Sequence, residues 1–354
     1  MKPVTVLLTG CGAPGAPGII KCLRKNGERE IRIVSVDMNE NAAARNLVDA
    51  FYTVPAAEDP GFIDRILEIC RMEKVEAVLP IVTRELEVFS AAKARFGEAG
   101  VKVNVMDPGP LHTANNKGLL LAAMRDAGLP APEFRVVHTA DEVEAAVKEL
   151  GYPEKAVVVK PTFGNGSRGT RILDPKVSRY DLFFKQKPGS MYISFSELME
   201  TLRERDAIPE MIVMENLPGE EYKVDTLTDH GKVLAAVCRH DTLVIHSNTF
   251  GSVSQQNPEA LKLCGDVIAL LRLNGNVNFD LKENADGSPR LMEINPRLGG
   301  GVVSCRVAGV NFPYLGLKRL LGEPLPACTV REGVVMRRRN AEVFFGPDGN
   351  EIPW

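Results

Sequence analysis

Glu293 and Asn295 stand two residues apart in Leu291-Met292-Glu293-Ile294-Asn295-Pro296-Arg297, just ahead of Gly299-Gly300-Gly301. Successive strand residues face opposite ways, so on a strand these two oxygen-bearing side chains share a face, and Met292 and Ile294 take the other. Upstream, Val277-Asn278-Phe279-Asp280-Leu281 alternates in the same manner, and Asp286-Gly287 between the runs is a hairpin turn signal. A two-residue turn there pairs Asp280 with Glu293 and Asn278 with Asn295. Carboxylates directly opposite each other destabilise a hairpin unless something positive sits between them. Magnesium suits such a set, because it prefers hard oxygen ligands, keeps some of its water and usually shares its site with substrate phosphates. The plainer reading is a wetted polar face on which Lys282, Arg290 and Arg297 neutralise the acids.

Other residues fit phosphate chemistry. Lys160 closes the apolar run Ala156-Val157-Val158-Val159, and a lysine in that setting needs an anionic partner or a route to solvent. The segment Gly164-Asn165-Gly166-Ser167-Arg168-Gly169 follows. It is not a Walker A loop, since no Gly-Lys-Ser/Thr closes it. Its glycines still allow the backbone to approach phosphate oxygens, and Ser167 and Arg168 can donate to them. An ordinary flexible hairpin loop has the same composition. Lys117, behind Asn115 and Asn116, either of which can cap the helix, reads in isolation as a surface lysine, and Glu215, Glu220 and Glu221 as surface acids. Gly10-Cys11-Gly12-Ala13-Pro14-Gly15, with Asp37 ending the next strand, fits a dinucleotide fingerprint. Pro14 and Pro17 each remove a donor from the turn that should face a pyrophosphate. An NAD(P)-dependent oxidoreductase is therefore the minor alternative, and close helix–strand packing is the preferred use of these glycines.

The elements that must carry these residues alternate at first. Val4–Leu8, Ile31–Asp37, Ala77–Pro80 and Val101–Val105 read as strands, and Ile19–Asn26, Phe62–Lys74 and Glu85–Ala99 as helices, a rhythm that predicts an open parallel sheet. Further on, Lys117–Ala127 and Pro258–Leu271 read as helices, Met211–Glu215, Tyr222–Leu227 and Val233–Arg239 as strands, and Gly333–Met336 with Ala341–Phe345 as a closing strand pair. The 354 residues suit two or three domains or lobes. With 43 basic and 46 acidic residues the net charge is −3, which implies no general pull toward nucleic acid or membrane. Seven scattered cysteines without a C-x-x-C pair read as reduced thiols rather than a zinc site. Met1-Lys2-Pro3 leads straight into a strand, so no signal peptide is expected, and the reduced thiols suit an expected cytoplasmic location.

Taken in order, four segments resemble the ATP-grasp superfamily, in particular its carboxylate–amine ligases and carbamoyl-phosphate-synthase-like members. They are Asn116-Lys117 with its helix ending at Gly128-Leu129-Pro130-Ala131-Pro132, Val159-Lys160-Pro161 with the glycine loop, Glu215 through Asp225, and Glu293-Ile294-Asn295-Pro296-Arg297. The resemblance covers nearly the whole chain. It implies an α/β protein, α+β in its C-terminal part. A Rossmann-like pre-ATP-grasp domain would span 1–112 and a two-lobed ATP-grasp domain 113–324, with a small flap lobe at about 130–217; a C-terminal strand segment, 325–354, would pack on the core.

The resemblance also implies roles. Lys117 and Lys160 would meet the nucleotide phosphates, with Gly166, Ser167, Arg168 and Gly169 as a flap over them. Glu215, Asn216 and Leu217 would form the adenine hinge, and Glu221 would hold the ribose. Glu293, Asn295 and either Asn278 or Asp280 would bind two Mg2+ ions, with Mn2+ able to substitute. Arg297 would hold the transferring phosphoryl group, Arg239 would anchor the substrate carboxylate, and Arg84-Glu85 would help with the second substrate. The activity implied is ADP-forming activation of a small carboxylate as an acyl phosphate, followed by attack of an amine or a similar nucleophile such as a thiol. The family usually has an acid or Gln where this chain has Asn278, a departure that keeps a non-catalytic ATP-binding regulatory protein as a second alternative. A single ATP-grasp half argues against carbamoyl phosphate synthesis by this chain alone. Specificity is expected from the N-terminal domain, Val237–Ser252 and Gly299–Arg306; the partners implied are small molecules, with a homodimer as the assembly common in the family.

Overall fold

The computed structural model describes residues 1–164, 166–185, 189–245, 248–339, 341–347 and 351–353. Asn165 of the glycine loop lies outside them. The chain divides into two compact units: Met1–His112 with Tyr222–Asp280 and Ile294–Trp354, and Thr113–Glu221 with Leu281–Glu293.

In the first unit, Val4–Thr9, Ile31–Asp37, Ala50–Thr53, Ala77–Leu79 and Lys102–Val103 form a five-stranded sheet. Its order, by those first residues, is 50-31-4-77-102, and every pairing is parallel. Near-continuous Val, Ile and Leu in the central strands is what a sheet covered on both faces requires. Val6, Leu8, Ile31, Ile33, Ala77 and Leu79 are buried with Ile19, Ile20 and Leu23 of the helix Ala16–Arg24. The strand Ala50–Thr53 was not expected. It is an edge strand of four half-exposed or exposed residues, too short to show a period. The single helix expected over 85–99 is two short ones, Leu86–Ala91 and Lys93–Glu98.

The same unit holds the antiparallel run Glu221–Asp229, Lys232–Ile245 and Asn248–Ser254, in which Lys223 pairs with Arg239 and Asp225 with Val237. The C-terminal strands do not pair with each other as expected. Val335–Arg337 adds to Asn248–Ser254, with Ser252 opposite Met336, and Phe344–Phe345 pairs instead with Glu351–Ile352. The open edge of a preformed sheet offers an unpaired ladder, and Val335–Arg337 takes it.

The second unit is built on a four-stranded antiparallel sheet in the order Phe134–Val137, Met211–Glu215, Val157–Pro161, Arg171–Leu173. Val143, Val147 and Leu198 of the helices Ala140–Glu149 and Phe195–Leu202 are buried against Val157, Val159, Met211 and Val213. The hairpin turn differs from the two-residue form. Asn284 N–H donates to Ser288 O at 2.9 Å and Gly287 N–H to Asn284 O at 3.0 Å, with Gly287 at φ +82°. That is a three-residue loop, Ala285-Asp286-Gly287, whose glycine takes the left-handed position. Among the described residues, no helix is long and apolar enough to cross a membrane.

Candidate functional site

In the second unit, Asn116 caps the helix Lys117–Asp126, its Oδ1 accepting from Leu119 N–H at 3.0 Å. This cap fixes Lys117 as the first helical residue. Lys117 is 7% exposed; its Nζ donates to Gly164 O at 3.0 Å and lies 3.4 Å from the Glu293 carboxylate. Lys160, also 7% exposed, points its Nζ at Met292 O, 3.5 Å away. Two buried ammonium groups thus converge on adjacent residues of one strand. Burial without partners would be costly, and a carboxylate and two carbonyls face them.

The loop after Lys160 is exposed and conformationally special. Gly166 has φ +63°, Gly169 φ +75°, and Ser167 is itself left-handed at φ +57°. A Cβ on Gly169 would lie 2.8 Å from the Pro161 ring, so only glycine fits that corner. In the hinge segment, Glu215 is tied to its own sheet: its carboxylate accepts from Glu133 N–H at 3.0 Å and its N–H donates to Glu133 O at 3.0 Å. Asn216 N–H, in the expected hinge, donates to Ala156 O at 3.4 Å. Leu217 is buried. Glu221 is half-exposed, 3.6 Å from Lys282.

In the first unit, the expected metal residues separate into two environments. Asn278 Nδ2 donates to Asp225 Oδ1 at 3.1 Å. Asp280 instead faces Lys223 Nζ at 2.9 Å and Asn295 Nδ2 at 3.5 Å. Arg297 folds over Asn295, with Nη2 donating to its Oδ1 at 3.0 Å and Nε to Thr83 Oγ1 at 3.1 Å. Asp280, not Asn278, therefore accompanies Asn295.

Arg239 is a correction. It is 2% exposed and lies between two acids: Nε donates to Asp225 Oδ2 at 3.0 Å and Nη1 to Asp241. Burial opposes its charge, and the carboxylates of Asp225 and Asp241 outweigh that and raise its pKa. A guanidinium already neutralised and out of solvent does not anchor an incoming carboxylate. It shapes the glycine loop instead, since a Cβ on Gly301 would meet it at 2.9 Å and one on Gly299 would meet Asp225 Oδ1 at 2.6 Å.

Three residues escaped the sequence reading. Arg338 Nη2 donates to Gly300 O at 2.8 Å, and its guanidinium lies 5.8 Å from the Phe250 ring centroid. Its pKa is lowered by burial and by Arg239 nearby. The run Arg337-Arg338-Arg339 was the available signal. Thr162 and Glu210, described below, carry no local motif. Glu85 is held by the Thr9 hydroxyl; burial pushes its carboxyl up to about 7, with Asp37 and Glu58 adding to the rise.

The dinucleotide reading fails on the same geometry. Gly12 N–H donates to Asp37 Oδ2 at 2.7 Å, so the acid closes its own turn. A Cβ on Gly15 would meet Gly300 Cα at 3.2 Å, so the turn serves close packing.

Comparison with known proteins matches residues 207–342 to a family described as ATP-grasp in the biosynthetic pathway with Ter operon, and residues 6–104 to the PylC-like N-terminal domain. The formate-dependent phosphoribosylglycinamide formyltransferase of Wolinella succinogenes is 27% identical over 333 residues, 91% of this chain and 77% of that one. The carbamoyl phosphate synthase large chain of Micrococcus luteus is 24% identical over 326 residues, 86% of this chain but only 27% of that one. The family match and these relatives point the same way, to the ATP-grasp ligases, as what this chain is similar to. Its fold agrees: the biotin carboxylase domain of the Hydrogenobacter thermophilus 2-oxoglutarate carboxylase, solved with MgADP, ADP and bicarbonate, superposes with a TM-score of 0.68 at 16% identity, covering 94% of this chain and 73% of that one. ATP and Mg2+ are the cofactors that ATP-grasp enzymes use in general.

Proposed function

We propose that this protein is an ATP-dependent, ADP-forming ligase that activates a small carboxylate and joins it to an amine. The observation that carries the reading is the convergence of Lys117 on Glu293 at 3.4 Å and of Lys160 on Met292 O at 3.5 Å. Two desolvated cations, one beside a carboxylate and one beside the adjacent backbone carbonyl, form a ready phosphate cradle.

In the reaction proposed, a carboxylate oxygen attacks the γ-phosphorus of ATP and ADP leaves. The amine then attacks the acyl carbon, phosphate departs, and the nitrogen loses a proton. Lys117 and Lys160 hold phosphate oxygens, and the Gly166–Gly169 loop adds backbone N–H groups with Ser167 and Arg168. The backbone of Leu217 reads adenine and Glu221 accepts from the ribose. The oxygen donors of Glu293, Asp280 and Asn295 are the kind Mg2+ selects, and when bound it would neutralise charge on the phosphates, one ion or two. Arg297, already oriented by Asn295, holds the transferring phosphoryl group. Arg338 takes the place first given to Arg239 as anchor of the substrate carboxylate, because its guanidinium lies beside the loop rather than beneath it. The substrates are small molecules, the setting is the cytoplasm, and the assembly is a homodimer.

A screen of carboxylates and amino acids for stimulated nucleotide turnover tests this. ADP and phosphate should appear with the right pair. AMP and pyrophosphate would overturn the mechanism, and tight ATP binding without turnover by any pair would favour a regulatory protein.

A further inference from the structure

Glu210 ties together the backbone segments that carry both nucleotide lysines. The ladder between Val157–Pro161 and Met211–Glu215 pairs Lys160 with Ile212 and Pro161 with Met211. One step on, Thr162 N–H donates to Glu210 O at 3.1 Å, so these two are cross-strand partners. Thr162 is 1% exposed, and its hydroxyl donates to Glu210 Oε1 at 2.7 Å. The same oxygen accepts from Asn116 Nδ2 at 3.2 Å, and Oε2 lies 3.3 Å from His138 Nε2.

Both partners of that oxygen lead directly to a lysine. Asn116 is the cap whose Oδ1 starts the helix at Lys117, and its amide can present that oxygen to Leu119 because Nδ2 is held by Glu210. Thr162 O accepts from Lys117 N–H at 3.0 Å. Gly118 completes the fit, since a Cβ there would meet Val136 at 3.0 Å and Asn116 and Thr162 each at 3.2 Å. The helix start, the strand end and the next strand are thus locked around one carboxylate. The Thr162 hydroxyl, foremost, keeps that carboxyl below its ordinary pKa, so it stays an acceptor.

We infer that Glu210 is a positioning residue that sets the separation of the Lys117 and Lys160 ammonium groups and thereby nucleotide affinity. It touches neither lysine side chain, and the inference rests on the reading that these lysines hold the phosphates. The test is calorimetric titration of the full chain with ATP in excess Mg2+. Glu210→Ala should weaken binding about 10-fold, and Glu210→Gln, which keeps an acceptor for the Thr162 hydroxyl, should recover most of the loss. Thr162→Val, which removes the same bond from its other end, should act alike, and combining it with Glu210→Ala should add little. Glu142→Ala, at an exposed acid on the other side of His138, should leave affinity unchanged. ATP binding within twofold of the parent in both Glu210→Ala and Thr162→Val, fully multiplicative losses in the double variant, or no recovery by Gln would overturn the inference. Failure of the parent to bind ATP would overturn instead the reading on which it rests.

Discussion

Replacing the three glycines after Arg297 by alanine, one at a time, should give an uneven result. None of Gly299, Gly300 and Gly301 has a positive φ, so alanine strains no backbone at any of them. What differs is the space. A Cβ at Gly299 would lie 2.6 Å from Asp225 Oδ1 and 3.0 Å from Asn278 Cγ; at Gly301 it would lie 2.9 Å from the Arg239 guanidinium; at Gly300 it would meet nothing within 4 Å. The atoms in the way cannot swing aside, because Asp225 and Arg239 hold each other at 3.0 Å and both are buried. Overpacking of this kind costs about 1–3 kcal/mol, whereas Gly to Ala at an unstrained open position gains about 0.4–1 kcal/mol through the unfolded chain. At roughly 2–4 °C per kcal/mol for a protein of a few hundred residues, Gly299→Ala and Gly301→Ala should melt several degrees lower, and Gly300→Ala should match the parent or exceed it. Thermal melts with and without ATP–Mg2+, run beside ADP release, provide the assay. Equal damage at all three positions, or none at Gly299 and Gly301, would refute the claim that the loop is pressed onto the Asp225–Arg239 pair.

Other outcomes follow from the same geometry. Lys117→Ala and Lys160→Ala should each weaken ATP–Mg2+ binding by about 10- to 100-fold, the range of a lost charge-assisted hydrogen bond of about 1.5–3 kcal/mol; calorimetry showing parental affinity would remove them from the site. Glu85, with its folded pKa raised to about 7 from an ordinary 4.5, binds more proton in the native state across that interval. Its contribution is therefore fully present below pH 4.5 and lost as pH rises through 7, about 3 kcal/mol in all at roughly 1.4 kcal/mol per unit. Glu85→Gln should flatten that part of the stability–pH curve, and an unchanged curve would count against a raised carboxyl there. Asp280→Asn should raise the Mg2+ concentration needed for half-maximal nucleotide binding more than Asn278→Ala does, because Asp280 is the one beside Asn295; the reverse order in a Mg2+ titration would return the ligand role to Asn278.

Much of the frame is legible in the chain because it rests on local periodicity. The parallel strands announce themselves as apolar runs such as Val4–Thr9, and Asn116 announces a helix start. Lys117, Lys160 and Glu293 could be placed near one another only through the order of their motifs, and in the second unit Lys117 meets Glu293 and Lys160 meets the adjacent Met292. Other features depend on distant partners. Ala50–Thr53 forms because Ile31–Asp37 offers an edge, and Val335–Arg337 because Asn248–Ser254 does. Arg239 was misjudged because spacing shows that an arginine lies on a strand, not whether acids from two other positions enclose it. Glu210 was missed because its significance lies in Asn116 and Thr162, 94 and 48 residues away.

The departure at Asn278 has a physical reason of the same long-range kind. An acid at that position would place a second carboxylate about 3 Å from Asp225 Oδ1, where the amide nitrogen now donates. Asp225 and Asp241 already share the single charge of Arg239, so a third buried carboxylate would lack a counter-charge and would be forced to take up a proton. The amide resolves this by serving as a donor to Asp225. The cluster then carries its charge without Asn278, and it does so beneath Gly299 and Gly301, whose missing side chains let the backbone lie against it. Asn278 therefore belongs to the support of the loop, and under the proposed function the acid beside a cation is Asp280, two residues along the same strand. There Lys223 holds the carboxylate at 2.9 Å and Asn295 stands beside it, itself oriented by Arg297. A residue that looks like a loss of metal-binding capacity in the sequence is, in the folded chain, the consequence of a buried arginine that fixes the loop.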